Sequence, residues 1–294
     1  MNAILFPGQG SQFVGMAKEH FDASNSVKKL FLKANEQLGY SLSDIMFKGP
    51  SKELMQTKYT QPAIFLHSVA LFKEKNIEPD AVAGHSLGEF SALVASGVLQ
   101  FEKALDLVQL RGNLMQEAGE IHPGTMAAII GMDDHVVDEI CKKATDEIQK
   151  PVVAANYNCP GQLVISGDED AVQKAVDLAK EQGCRLAKLL PVSGAFHSPL
   201  MKPALEGLKK RVDEIEFNKP SCPFYSNASG EATTDATVVK ENLIAQLTSP
   251  VRWTKTLQSM EKAGVKEFIE IGPGKVLQGL VKRTVSNANI SGYQ

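Results

Sequence analysis

Cysteine is scarce in this chain, and the four residues present, Cys141, Cys159, Cys184 and Cys222, stand apart with no C-x-x-C pair. That spacing indicates neither a zinc site nor a disulfide framework, and no metal is expected. The N-terminal MNAILFPGQG has too short an apolar run for a signal peptide, and no run approaches membrane-spanning length. A reduced, cytoplasmic protein with no membrane partner is therefore expected. Charge of either sign is also not in excess. A net charge of −3 gives no global attraction to nucleic acid or anionic lipid, so a basic partner site would have to be local. Internal repeats, low-complexity tracts and flexible linkers are all missing. What remains is ordinary for a globular protein, with 43% apolar and 22% charged residues. The 294 residues suffice for one large domain, with or without a smaller one inserted.

Short β-rich runs alternate with amphipathic stretches, which predicts an α/β fold. The run AILF closes on PGQG. One helical pattern follows through Val27, Leu30, Phe31, Ala34 and Leu38, and another opens at Thr60-Gln61-Pro62, where proline suits a helix start. Next come a strand AVA, the turn GHSLGE and a helix through Phe90, Leu93 and Val94. Residues 125 to 192 then read β-α-β-β-α-β, the ferredoxin-like order. The expected architecture has a large domain over residues 1–123 and 193–294, with a small domain over 124–192 inserted in it. The cleft between them is the expected site, as ligand sites often lie at domain boundaries.

The stretch GHSLGEF fits G-x-S-x-G between a strand and a helix, the context of a serine raised as a nucleophile on a sharp turn. The bland alternative is a glycine-flanked helix cap with a silent serine. If Ser86 is nucleophilic, the N–H of Leu87 and the following helix N-terminus can stabilise an oxyanion. A base is then needed, and six histidines are available. His85 sits in the turn itself, while His20, His67 and His135 fall in helical patterns. His122 precedes Pro123 at the expected boundary. His197 is the best placed, following SGAF just past a strand and preceding a helix start at Ser198-Pro199, although capping or packing would also explain it.

Arg111 is out of place. The helix over 101–118 carries an apolar stripe of Phe101, Ala104, Leu105, Val108 and Met115, and Arg111 lies on that stripe. A guanidinium on a buried face needs an anionic partner. That partner is either a local carboxylate or the carboxylate of a substrate held by the planar fork, unless the side chain snorkels out to water. FPGQGSQ lacks the third glycine of a dinucleotide fingerprint, and GPGKV lacks the hydroxyl residue a P-loop needs. Both read instead as tight turns at strand ends, which makes the Gln9 backbone a candidate second oxyanion donor.

With these parts assembled, the chain resembles the malonyl-CoA:acyl-carrier-protein transacylases of fatty acid synthesis and the related polyketide acyltransferases. The resemblance rests on FPGQGSQ at 6–12, YTQPA at 59–63, GHSLGE at 84–89, RG at 111–112 and NYNCPGQLVISG at 156–167. It continues through GAFHSPLM at 194–201, AQLTSPVRW at 245–253 and EIGPGKVLQGLVKR at 270–283. It implies an α/β-hydrolase-like large domain with a ferredoxin-like insertion. Ser86 matches the acylated serine, His197 its base, Gln9 and Leu87 the backbone oxyanion donors, and Arg111 the arginine that binds the malonyl carboxylate. Gln246 matches the residue whose backbone carbonyl orients the histidine, and Met115 a methionine lining the acyl pocket. Phe196, before the histidine, matches a position where phenylalanine goes with malonyl and serine with methylmalonyl. The implied activity moves malonyl from malonyl-CoA to the phosphopantetheine thiol of acyl carrier protein by ping-pong exchange, with no metal or cofactor, and a monomer is the family default. The alternatives are a trans-acting polyketide acyltransferase or a related acyl hydrolase.

Overall fold

The computed structural model describes residues 1–192 and 194–294; the domain boundary expected at Ser193 lies outside the described residues. Ten strands are present among them: β1 (Asn2–Phe6), β2 (Ala81–Gly84), β3 (Gly124–Ile130), β4 (Val152–Cys159), β5 (Gln162–Asp168), β6 (Leu186–Leu189), β7 (Phe224–Tyr225), β8 (Ala232–Thr233), β9 (Glu267–Ile271) and β10 (Asn289–Tyr293). They form two sheets within a mixed α/β fold.

The first sheet has the order β10-β9-β1-β2-β7-β8, parallel except for the antiparallel edge strand β8. Its central strand explains why AILF reads as an unbroken apolar run. Ile4 and Phe6 enter one hydrophobic core, and Ala3 and Leu5 enter another on the opposite face. Successive side chains of a strand point to opposite faces, so a strand covered on both sides is apolar at every position.

The second sheet, β4-β5-β3-β6, is antiparallel, and its chain order is the β-α-β-β-α-β expected from the sequence. The helices Asp134–Ile148 and Glu169–Glu181 share a core with one face of it, through Ile129, Ile165, Ile140 and Val176. Met126 and Val164 point the other way and join the core of the first sheet. The two sheets are also stitched through the backbone. Tyr157 N–H donates to the Val251 carbonyl at 2.9 Å, and Val251 N–H donates to the Ala155 carbonyl at 2.8 Å.

Some local expectations need correction. Pro62 does not open its helix, which runs Thr57–Lys75 and holds the proline in its interior. The helix is drawn back by a turn because the Thr60 hydroxyl donates to the Leu54 carbonyl, and Thr60 N–H to that of Gln56. The missing proline donor is offset by packing, since every residue from Thr60 to Leu71 is buried. The last strand of the 125–192 segment pairs only over Leu186–Leu189. Strands β8 and β10 carry no apolar alternation and were not expected.

Candidate active site

Four loops at the carboxyl ends of parallel strands converge: Pro7–Gln12 after β1, His85–Leu87 after β2, Ser226–Asn227 after β7 and Gly272–Lys275 after β9. Crevices outside those ends are where open α/β sheets bind ligands. The cleft has a volume of about 520 Å³. Loops of the first sheet contribute Gln9, Ser86 and Leu87 to its lining, the segment after β6 contributes Phe196 and His197, and the second sheet contributes Met126, Asn156, Asn158 and Val164.

The serine turn is built as the motif requires. A Cβ on Gly84 would overlap the Gly88 carbonyl, and a Cβ on Gly88 would overlap that of Phe6, so both positions demand glycine. Between them Ser86 holds φ at 52°, a left-handed conformation costly for a residue with a side chain. Asn227 steadies this turn. Its Oδ1 accepts the Ser86 N–H at 2.6 Å, and its Nδ2 donates to the Gly84 carbonyl at 2.7 Å. The helix Gly88–Ala95 starts directly behind the serine.

His197, buried and also left-handed at φ 57°, lies with Nε2 2.7 Å from Ser86 Oγ. Its Nδ1 lies 2.9 Å from the Gln246 backbone carbonyl. A carbonyl can only accept, so the proton sits on Nδ1 and the Nε2 lone pair faces the serine hydroxyl. Burial, reinforced by the charge of Arg111, pushes the imidazole pKa down to about 3, which keeps the ring neutral. Two of the other histidines are engaged elsewhere. His85 Nε2 meets Asn158 Oδ1 at 2.8 Å, and His20 Nδ1 meets Glu74 Oε2 at 2.8 Å.

Arg111 is on the buried stripe as expected, 1% exposed. Its partners are not carboxylates. Nη1 donates to Gln61 Oε1 at 2.7 Å, and Nη2 donates to Gln246 Oε1 at 3.0 Å and to Ser86 Oγ at 3.2 Å. The guanidinium also lies over the Phe90 ring at 5.6 Å. Burial lowers its pKa to about 10, with Glu89 opposing the fall, so it stays charged at neutral pH. Gly112, the next residue, lets this helix approach the Thr57–Lys58 backbone closely.

Met115, one turn on, lines the cleft and accepts a contact from Gln61 Nε2 at 3.2 Å. Phe196 lines it as well. Among the described residues, the Gln9 and Leu87 backbone N–H groups make no hydrogen bond within the protein, and both residues line the cleft beside Ser86. No group of three or more His, Cys, Asp or Glu among the described residues is placed to hold a metal ion.

All eight residues singled out from the sequence thus line one cleft or bond directly to residues that do. Three contributors were not assigned a role from the sequence: Gln61, Asn227 and Glu89. Gln61 lies inside the quoted YTQPA, and Glu89 ends GHSLGE, so their positions carried a signal. Asn227 lies outside every quoted motif.

A hydroxyl hydrogen-bonded to a neutral imidazole, two free N–H groups and a buried cation make a site for acyl transfer from an anionic acyl donor. Residues 4–294 match the acyl transferase domain family. A malonyl CoA-acyl carrier protein transacylase of Bacillus subtilis is 49% identical over 284 residues, which is 96% of this chain and 89% of the relative. The chain therefore belongs to the malonyl CoA-acyl carrier protein transacylase family. Among solved structures, the transacylase of Coxiella burnetii superposes with a TM-score of 0.95 at 39% identity, covering 99% of this chain and 93% of that one. A malonyl-transacylase solved in complex with a type II PKS acyl-carrier protein superposes at 0.93 and 42% identity, covering 99% and 94%. No helix among the described residues is long and apolar enough to cross a membrane.

Proposed function

We propose that this enzyme transfers malonyl from malonyl-CoA to the phosphopantetheine thiol of acyl carrier protein, through a malonyl ester on Ser86. As Ser86 Oγ attacks the thioester carbonyl, His197 Nε2 takes its proton. The oxyanion of the tetrahedral intermediate accepts from the Gln9 and Leu87 N–H groups. His197 returns the proton to the departing coenzyme A thiolate, and the acyl ester remains. The carrier thiol then enters the cleft and reverses these steps, so the kinetics are ping-pong and the thioester energy is kept. Throughout, the Gln246 carbonyl keeps the imidazole in its Nδ1–H tautomer. Met115 and Phe196 bound the acyl group, and no metal or cofactor takes part.

The observation that carries this reading is Arg111. It is buried beside the nucleophile, charged, and bonded only to neutral groups, which leaves it without a direct carboxylate partner among the described residues. The malonyl carboxylate would complete it. A hydrolase for neutral acyl chains gains nothing from such a cation. The carrier could be one of polyketide synthesis instead, a second reading favoured by the complex of a relative with a type II PKS acyl-carrier protein. We read residues 1–123 and 193–294 as an α/β-hydrolase-like domain and 124–192 as a ferredoxin-like insertion, in a cytoplasmic monomer.

Incubation with labelled malonyl-CoA, followed by intact-mass measurement, tests the transfer. One malonyl per chain is expected, persisting in buffer and lost on adding holo carrier protein. Release of free malonate at a similar rate without carrier would mean a hydrolase.

A further inference from the structure

The mechanism above uses only the backbone of Gln246, yet its buried side chain is as fully engaged. Nε2 donates to the Ser86 carbonyl at 2.9 Å and to Glu89 Oε2 at 2.7 Å, while Oε1 accepts from Arg111 Nη2 at 3.0 Å. That orientation is forced, since a carboxylate accepts and a guanidinium only donates. Glu89 is itself fully buried, one residue past the glycine turn. Its Oε2 also accepts the Asn227 N–H at 3.2 Å, and Oε1 has no hydrogen-bond partner among the described residues.

Glu89 and Arg111 are thus two buried, opposite groups separated by one amide. Burial raises the Glu89 pKa to about 7, opposed by the Gln246 and Asn227 hydrogen bonds and by the charge of Arg111. Its negative charge is therefore present in part at neutral pH and grows above it, while Glu89 in turn works to raise the pKa of Arg111. Held one amide away, the carboxyl offsets the buried cation, while Nη2 donates both to the Gln246 amide oxygen and to Ser86 Oγ.

We propose that Glu89 is a positioning and specificity residue. Acting through the Gln246 amide, it is the resident counter-anion of Arg111, and it competes electrostatically with the carboxylate of the incoming acyl group. This rests on the reading of Arg111 as the carboxylate site. The competition limits how tightly the malonyl group is held and so lets it leave for the carrier.

Glu89→Gln tests this, since it keeps the shape and an acceptor oxygen while removing the charge. In that variant the KM for malonyl-CoA should fall by about tenfold, as expected for losing a nearby like charge at an effective dielectric of about 20. The kcat for transfer should fall too, because the acyl group is held more tightly. The KM for acetyl-CoA should not move, and free malonate should inhibit correspondingly better. A merely structural role would move the malonyl and acetyl constants together, and that result overturns the proposal.

Stability gives a second arm, usable even if the single variant folds poorly. Adding Arg111→Met to Glu89→Gln should restore thermal stability, because the uncompensated cation is gone. A double variant no more stable than Glu89→Gln alone would show that the two charges are not coupled. Failure of the unmodified protein to form any malonyl adduct would sink the transfer reading itself. An adduct with an unchanged malonyl KM in Glu89→Gln would sink only this inference.

Discussion

Nδ1 of His197 lies 2.9 Å from the backbone carbonyl of Gln246, where a hydrolase triad would place a carboxylate. A carbonyl fixes the tautomer without adding a negative charge beside the ring. In the mechanism we propose, the imidazolium formed during attack would therefore be less stabilised than in an acid-supported triad. His197→Ala should leave the fold intact and lower the rate of malonyl-Ser86 formation by at least about 100-fold, the usual contribution of a positioned base. Rapid-quench intact-mass measurement reads this, and a rate within a few-fold of the unmodified protein would show that another group takes the proton.

Asn227→Ala should be costly for both stability and acylation. It strands the Ser86 N–H and the Gly84 carbonyl, and removal of one partner of a buried hydrogen bond costs about 1–3 kcal/mol. The strained Ser86 backbone should relax at the same time, so the acylation rate should fall alongside the urea midpoint. A loss of stability with an unchanged acylation rate would show that the turn holds itself.

Acid sensitivity should be traceable in part to a residue that does not line the cleft. His67 is buried with no hydrogen-bond partner for either ring nitrogen among the described residues. Burial, with the nearby His20 adding to it, pushes its pKa down to about 3. The unfolded chain therefore takes up this proton near pH 6.5 while the folded protein does not, so stability falls as the pH drops below about 6.5. His67→Phe should raise the urea midpoint, and by more at pH 5 than at pH 7.5. An equal gain at both values would contradict the depressed pKa.

Phe196→Ser should widen the acyl pocket. Accommodating one extra methyl changes discrimination by about 1–3 kcal/mol. Transfer of methylmalonyl relative to malonyl should rise accordingly, measured by competition between the two coenzyme A esters. An unchanged ratio would place the size filter elsewhere in the cleft.

Much of this site was legible in the sequence because its chemistry sits in short, contiguous motifs. The glycines of GHSLGE are dictated by overlap with the Gly88 and Phe6 carbonyls, and Arg111 announces itself by interrupting an apolar stripe. The β-α-β-β-α-β order of strands β3 to β6 and their two helices also followed from periodicity. The supporting contacts were not legible, because they are made across long sequence separations by neutral amides. Asn227 reaches Ser86 over 141 positions, and Gln246 reaches Glu89 over 157. A buried Asn or Gln on a helix or loop has no pattern that distinguishes it from a surface residue. Pro62 was misplaced for a related reason, since burial of the whole Thr57–Lys75 helix overrides a local start signal.

The central claim is that this cleft selects a carboxylated acyl group through Arg111. Arg111→Ala, assayed with malonyl-CoA and acetyl-CoA in parallel, tests it most directly. A charge-assisted hydrogen bond contributes about 1.5–3 kcal/mol, so malonyl transfer should fall by at least about tenfold relative to acetyl transfer. If both fell by the same factor, Arg111 would be a structural cation and the cleft would not read the carboxylate.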